Sequence, residues 1–116
     1  TARKVLSVGA FNQDAGSMAP FSGRGYTADG RLVPLIVAYG VDVTAAGYGG
    51  GYVRKTGTSF AAPKISGYAA CIMEWGIVRR NDENMYGEKL IAYMTRYAVG
   101  IEGEEMPGIR QGWGLI

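Results

Sequence analysis

The stretch SFAAPKISGYAACIMEWGIV, residues 59–78, constrains the fold of this chain more than any other. Apolar or small residues recur at Ala62, Ile65, Ala69, Ile72, Met73 and Gly76, and these spacings of three and four predict a helix. Small residues also stand at Ala61, Ala62, Ser66, Gly67, Ala69 and Ala70. Close neighbours are therefore expected on most sides, and the helix is expected in the interior. Pro63 suits its first turn, where a missing N–H costs nothing. Cys71 lies in the same apolar run and is expected to be buried. As the one cysteine of the chain it can form no intrachain disulfide.

Short β-prone segments precede that helix. VLSVGAF at residues 5–11 and LIVA at residues 35–38 read as buried strands, being apolar and rich in β-branched residues. Between them the chain is full of turn formers, with Asp29-Gly30 predicting a tight turn. Gly40 would permit a bend after the second strand. The glycines of residues 47–51 predict a hairpin or wide loop between VDVTAA and YVRKT. Beyond the helix, residues 79–84 form a polar break. A second, surface helix is expected over residues 86–99, with Leu90, Ile91, Met94, Tyr97 and Ala98 on one face and Glu88 and Lys89 in water. Residues 100–108 read as a loop, and the closing GWGLI as an apolar tail packed on the core.

A length of 116 residues suits one domain. The net charge of +2, with basic residues scattered among acidic ones, gives no footprint for nucleic acid or a membrane surface. No apolar run is long enough to span a membrane. Nineteen glycines among 116 residues exceed the usual share of roughly 7% and suggest an enzyme core with close backbone packing.

The region GYGGGYVRKTGTS fails both common phosphate patterns. Arg54, not glycine, precedes Lys55-Thr56, and Tyr52 occupies the third glycine position of a dinucleotide loop. Residues 57–61, Gly-Thr-Ser-Phe-Ala, nearly match a G-x-S-x-G nucleophile elbow. Ser59 at a helix start could be a nucleophile, with free N–H groups and the helix dipole stabilising an oxyanion. It could equally be a helix cap. Local chemistry leaves both readings open. A serine–lysine dyad is disfavoured, because Lys64 is five residues on and Lys55 lies outside the helix. With no histidine and one cysteine, no metal site is expected. Asp82, Glu83, Glu102, Glu104 and Glu105 lie in polar loops without calcium-ligand spacing.

The string GTSFAAP resembles the serine motif of the subtilisin-like serine proteases, or subtilases: Gly57, Thr58, Ser59, Ala61, Ala62 and Pro63 match. Further along, VLSVGAF, APFSGRG, LIVAYGVDV and GWGLI are similar to family segments in the same order, so the resemblance covers essentially the whole chain. The second half looks closest to subtilases of spore-forming anaerobes, including the germination-protease type. The resemblance implies an α/β fold: the C-terminal portion of a three-layer α/β/α sandwich with a mostly parallel sheet. It implies a serine endopeptidase in an intact parent, with the family's catalytic Asp and His and oxyanion Asn upstream of these residues. Ser59 would attack the scissile carbonyl, and its backbone N–H, supported by Thr58, would hold the oxyanion. Lys55, Thr56 and Phe60 would border the leaving-group side of a peptide or protein substrate. Phe60 replaces the family's usual methionine, which removes an oxidation-prone thioether. No cofactor is implied; calcium, if the parent binds it, is not legible here.

Alone, the chain is expected to be inactive, because a serine hydroxyl without a base is a poor nucleophile. Its partners would be the upstream part of the same domain and, through an uncovered edge, further copies of itself. Three departures from the family pattern stand out: Tyr39 for proline, Val33-Pro34-Leu35 for Lys-Pro-Asp, and Lys64 for histidine. They imply a diverged or inactive member. The alternative function is a pseudoprotease or scaffold that binds a partner protease or peptide.

Overall fold

The computed structural model describes residues 4–116. Its centre is a parallel pair, β1 (Val8–Asn12) and β5 (Ile36–Tyr39), in register from Val8 opposite Ile36 to Phe11 opposite Tyr39. A short strand, β2 (Ser17–Met18), runs antiparallel on the outer edge of β1. On the other edge Leu115 bridges Val37 in parallel and Val99 antiparallel, so the GWGLI tail extends the sheet. Two antiparallel hairpins stand apart. β3 (Gly25–Tyr26) pairs with β4 (Leu32–Val33) around the Asp29-Gly30 turn, and β6 (Val43–Ala46) pairs with β7 (Tyr52–Lys55) around the glycine-rich tip. The first strand is shorter than the apolar run, for Val5 is exposed.

Alternation along the parallel pair sorts its side chains onto two faces. Ala10, Ile36 and Ala38 point to the helices, while Phe11 and Val37 join Met18, Ile101 and Leu115 on the opposite face. Both helices lie on the first face. Helix α1 (Thr58–Met73) packs directly on β1 and β5 and runs on into π-helical turns at Glu74–Val78. Helix α2 (Gly87–Tyr97) packs on α1. This is the α/β arrangement expected from the sequence, with the second face covered here by the loop and tail of residues 101–115 rather than by a helix.

Several expectations are corrected. Helix α1 is buried along one stripe, at Ala61 and Ile65, with Ala69, Ile72 and Met73 partly covered. Ala62, Ser66, Gly67 and Ala70 are exposed, because nothing among the described residues packs on that face. Cys71 is exposed too. It follows Ile65 by six residues, which turns it about 120° away from the buried stripe at 100° per residue. Pro63 lies in the second turn, so the Ser59 carbonyl loses its i+4 N–H partner. On α2 the buried line is Leu90, Met94 and Ala98 at strict fourfold spacing, whereas Tyr97 is exposed and stacks on Tyr93 at 4.7 Å between centroids. Met85, just before α2, is the buried residue that the helical pattern did not reveal.

The loop of residues 100–110 is organised by Gln111, which is fully buried. Its Oε1 accepts the Ile101 N–H at 2.8 Å, and its Nε2 donates to the carbonyls of Glu104 at 3.1 Å and Glu105 at 3.0 Å. Leucine at this position would fill the space but strand these three backbone groups. Gln111→Leu is expected to cost about 2–4 kcal/mol, since each stranded buried polar group costs about 1–3 kcal/mol and the added apolar burial recovers part. Urea unfolding of the two forms measures this; an unchanged midpoint would mean that water replaces the amide.

Candidate active site

The start of α1 is built from the strand side. Ala10 and Ala38 on the sheet and Ala61 on the helix are all fully buried. All three belong to one buried cluster, and small side chains on both packed elements let a helix backbone come close to the strands. Gly40 completes this approach. A Cβ there would lie 2.7 Å from the Ala10 Cβ and 3.1 Å from the Gly57 carbonyl oxygen. The glycine is needed for proximity, not for the bend suggested by the sequence, since it is Asp42 that takes the positive φ of 49°. With no side chain in the way, Gly40 accepts the Gly57 N–H at 2.8 Å and donates its own N–H to Phe11 at 3.0 Å. Gly57 is thereby tied to the sheet.

Gly57 is the N-cap of α1, with φ of 153°, and no side chain caps the helix. Ser59 is the second helical residue and is exposed. The cap reading of Ser59 therefore fails, because a capping side chain belongs to the residue that Gly57 occupies. Phe60 N–H bonds back to Gly57 at 3.0 Å, which leaves the Thr58 and Ser59 amides as the unpaired donors typical of a first turn. There is no acidic residue in that turn to offset the positive end of the helix. An exposed hydroxyl thus stands beside free amide donors at a positive helix terminus. This arrangement can stabilise negative charge on an oxygen bound next to Ser59.

The other predicted residues divide. Thr58 and Phe60 are half-buried beside Ser59. The Phe60 ring lies along Gly57, 3.7 Å from where a Cβ would stand. Lys55 ends β7 in solvent. Thr56 has a structural engagement that the sequence did not signal: its hydroxyl accepts the Asp42 N–H at 3.0 Å, joining the end of the β6–β7 hairpin to the turn after β5. Lys64 is no partner for Ser59. Its ammonium sits over the Tyr39 ring, 5.1 Å from the centroid. Ser22, which lies in the FSGRG segment but carried no assigned role, is buried and accepts the Ala10 N–H at 3.0 Å. Buried polar atoms need partners, so this bond fixes the loop against β1. Among the described residues no group of three or more His, Cys, Asp and Glu could hold a metal ion, and no helix is long and apolar enough to cross a membrane.

Residues 1–114 match the model of the subtilase family, peptidase S8. Among solved structures, the chain is similar to the CspB protease of Clostridium perfringens, with 37% identity and a TM-score of 0.91 over 97% of this chain and 25% of that one. It is similar to the prenylagaramide maturation protease PagA, with 30% identity and a TM-score of 0.80 over 99% of this chain and 40% of that one. It is also similar to the patellamide maturation protease PatA, with 31% identity and a TM-score of 0.77 over 97% of this chain and 40% of that one. The chain thus spans between a quarter and two-fifths of the length of these proteins.

Gly40→Ala tests the geometry without touching the serine. Its Cβ must push apart β1 and the Gly57 carbonyl, an overpacking expected to cost about 1–3 kcal/mol. The Gly57 amide should also exchange with solvent faster, in step with a longer bond to residue 40. Wild-type stability together with unchanged Gly57 exchange would show that α1 does not depend on this approach.

Proposed function

Because the chain belongs to the subtilase family, we propose that Ser59 is the nucleophile of a serine endopeptidase of which these 116 residues form the C-terminal part of the catalytic domain. One observation carries this reading: Ser59 stands exposed in the first turn of α1, among unpaired amides and without a capping role. In the reaction a base takes the Ser59 hydroxyl proton as Oγ bonds to the scissile carbonyl carbon. The carbonyl π-electrons move to oxygen, and the Ser59 N–H donates to that oxyanion. Collapse expels the amine, which takes the proton back from the base, and water then releases the acyl group by the same steps. Thr58 supports the oxyanion turn. Lys55, Thr56 and Phe60 border the leaving-group side of the bound peptide.

The chain contains no histidine, so the base of this scheme belongs to residues outside it. The isolated chain is accordingly expected to be inactive. Peptide or protein substrates are proposed by analogy with the proteases it resembles.

Fluorophosphonate labelling tests the assignment. The full-length protein should label at Ser59, the Ser59→Ala variant should not, and peptide hydrolysis should fall by a factor on the order of 10⁶ in that variant. Residues 1–116 alone should label no faster than a free serine peptide. A folded full-length protein that does not label would favour the scaffold reading over the enzyme.

A further inference from the structure

The first turns of α1 have few fastenings of their own. Gly57 has no side chain, no other side chain caps the amides, and Pro63 cannot donate to the Ser59 carbonyl. Two lines of contact compensate, and both start at Phe11. The backbone line runs from the Phe11 carbonyl through Gly40 to the Gly57 N–H, with bonds of 3.0 Å and 2.8 Å. The side-chain line runs beside it. Phe11 and Tyr39 are register partners across β1 and β5, with ring centroids 5.8 Å apart, and the Lys64 ammonium lies 5.1 Å from the Tyr39 centroid. Phe11 is buried and forms the fixed end of both lines.

The two lines meet α1 on either side of the interrupted hydrogen bond. Gly57 precedes Ser59, and Lys64 immediately follows Pro63. We infer that Tyr39 and Lys64 are a positioning pair: the cation on the ring holds the proline-weakened turn of α1 against β5 and so sets the orientation of Ser59. The inference deepens the nucleophile reading and rests on it for its kinetic consequence. It also gives Lys64 a role that requires the ammonium to stay charged and turned towards Tyr39, which is the opposite of a general base. The ring of Tyr39 matters here, not its hydroxyl, because the attraction comes from the π-face.

The test reads two quantities in the full-length protein: the rate of fluorophosphonate labelling at Ser59, and exchange of the Phe60 amide, which is bonded to the Gly57 carbonyl. Lys64→Met and Tyr39→Leu should each slow labelling and quicken exchange by about two- to fivefold, the range for a partly exposed cation–π contact. The double variant should be no worse than either single one. Lys64→Arg and Tyr39→Phe, which keep a cation and a ring, should behave as the unaltered protein. Additive effects in the double variant, failure of arginine to rescue, or unchanged labelling and exchange in the single variants would overturn the pair. If the unaltered protein does not label, the nucleophile reading fails by itself. Exchange then decides the pair: quickening in Lys64→Met that arginine reverses sustains it, and unchanged exchange sinks it.

Discussion

The placement of Ser59 depends on how closely one helix can approach two parallel strands. Ala10, Ala38 and Ala61 are fully buried in one cluster between strands and helix, and Gly40 leaves room for Gly57 to bond the strand end directly. Close packing makes this contact intolerant of one added methyl group, because interiors have no slack to take it up. The result is a helix start anchored by backbone to the sheet rather than capped by a side chain. That choice leaves the Ser59 hydroxyl free. A serine that capped its own helix would have its oxygen oriented by an amide bond and one of its two lone pairs occupied.

The rest of the chain supports this one contact from behind. Ser22 locks the loop after β2 onto the Ala10 amide, one residue from Phe11. Leu115 ties the tail to Val37 and Val99, and Gln111 holds the loop that covers the far face of the strands. On the helix side, Ile65 on α1 and Leu90 and Met94 on α2 belong to the same buried cluster as Ala10. Polar and apolar fastenings thus surround the β1–β5 pair: Ser22, Gln111, Ile65, Leu90 and Met94 are buried and Leu115 is partly buried.

Much of this was legible in the sequence, for physical reasons that also mark where legibility stopped. Apolar, β-branched runs marked β1 and β5, spacings of three and four marked both helices, and the glycine-rich stretch marked the connection between β6 and β7, whereas the short β2, β3 and β4 were not legible as strands. The motif around Ser59 marked a residue that stands exposed in the first turn of α1. Burial was less legible. Cys71 and Tyr97 are apolar residues in apolar runs, yet their angular positions turn them outward, and a residue count alone does not say what lies opposite. The small face of α1 suggested close neighbours that the described residues do not supply. Long-range pairs were least legible of all. Tyr39 and Lys64 stood out separately as departures from the subtilase pattern, 25 positions apart, and only the fold shows that they touch. The Thr56–Asp42 bond was hidden in the same way.

Magnitudes separate what the geometry of Ser59 can do from what it cannot. The positive helix terminus favours an anion by about 0.3–1 kcal/mol at an exposed position. A full unit charge 4 Å away contributes about 1 kcal/mol through water. Since a tenfold rate change takes about 1.36 kcal/mol, such terms in the open first turn of α1 each supply less than a factor of ten. Loss of the base or the nucleophile from a serine triad costs on the order of 10⁶, or about 8 kcal/mol. Nearby lysines and a helix dipole therefore cannot substitute for a general base, even with the serine well placed. What these residues can contribute is orientation: a hydroxyl and an amide held in fixed relation by Gly40, Gly57 and the Tyr39–Lys64 contact. Orientation has its full effect only when the base is present and the site is closed to water, because both the proton transfer and the oxyanion bond strengthen in a dry site. The exposure of Ser59 in this chain and its lack of histidine fit the proposed division of labour, in which these residues would orient the serine and residues outside the chain would activate it.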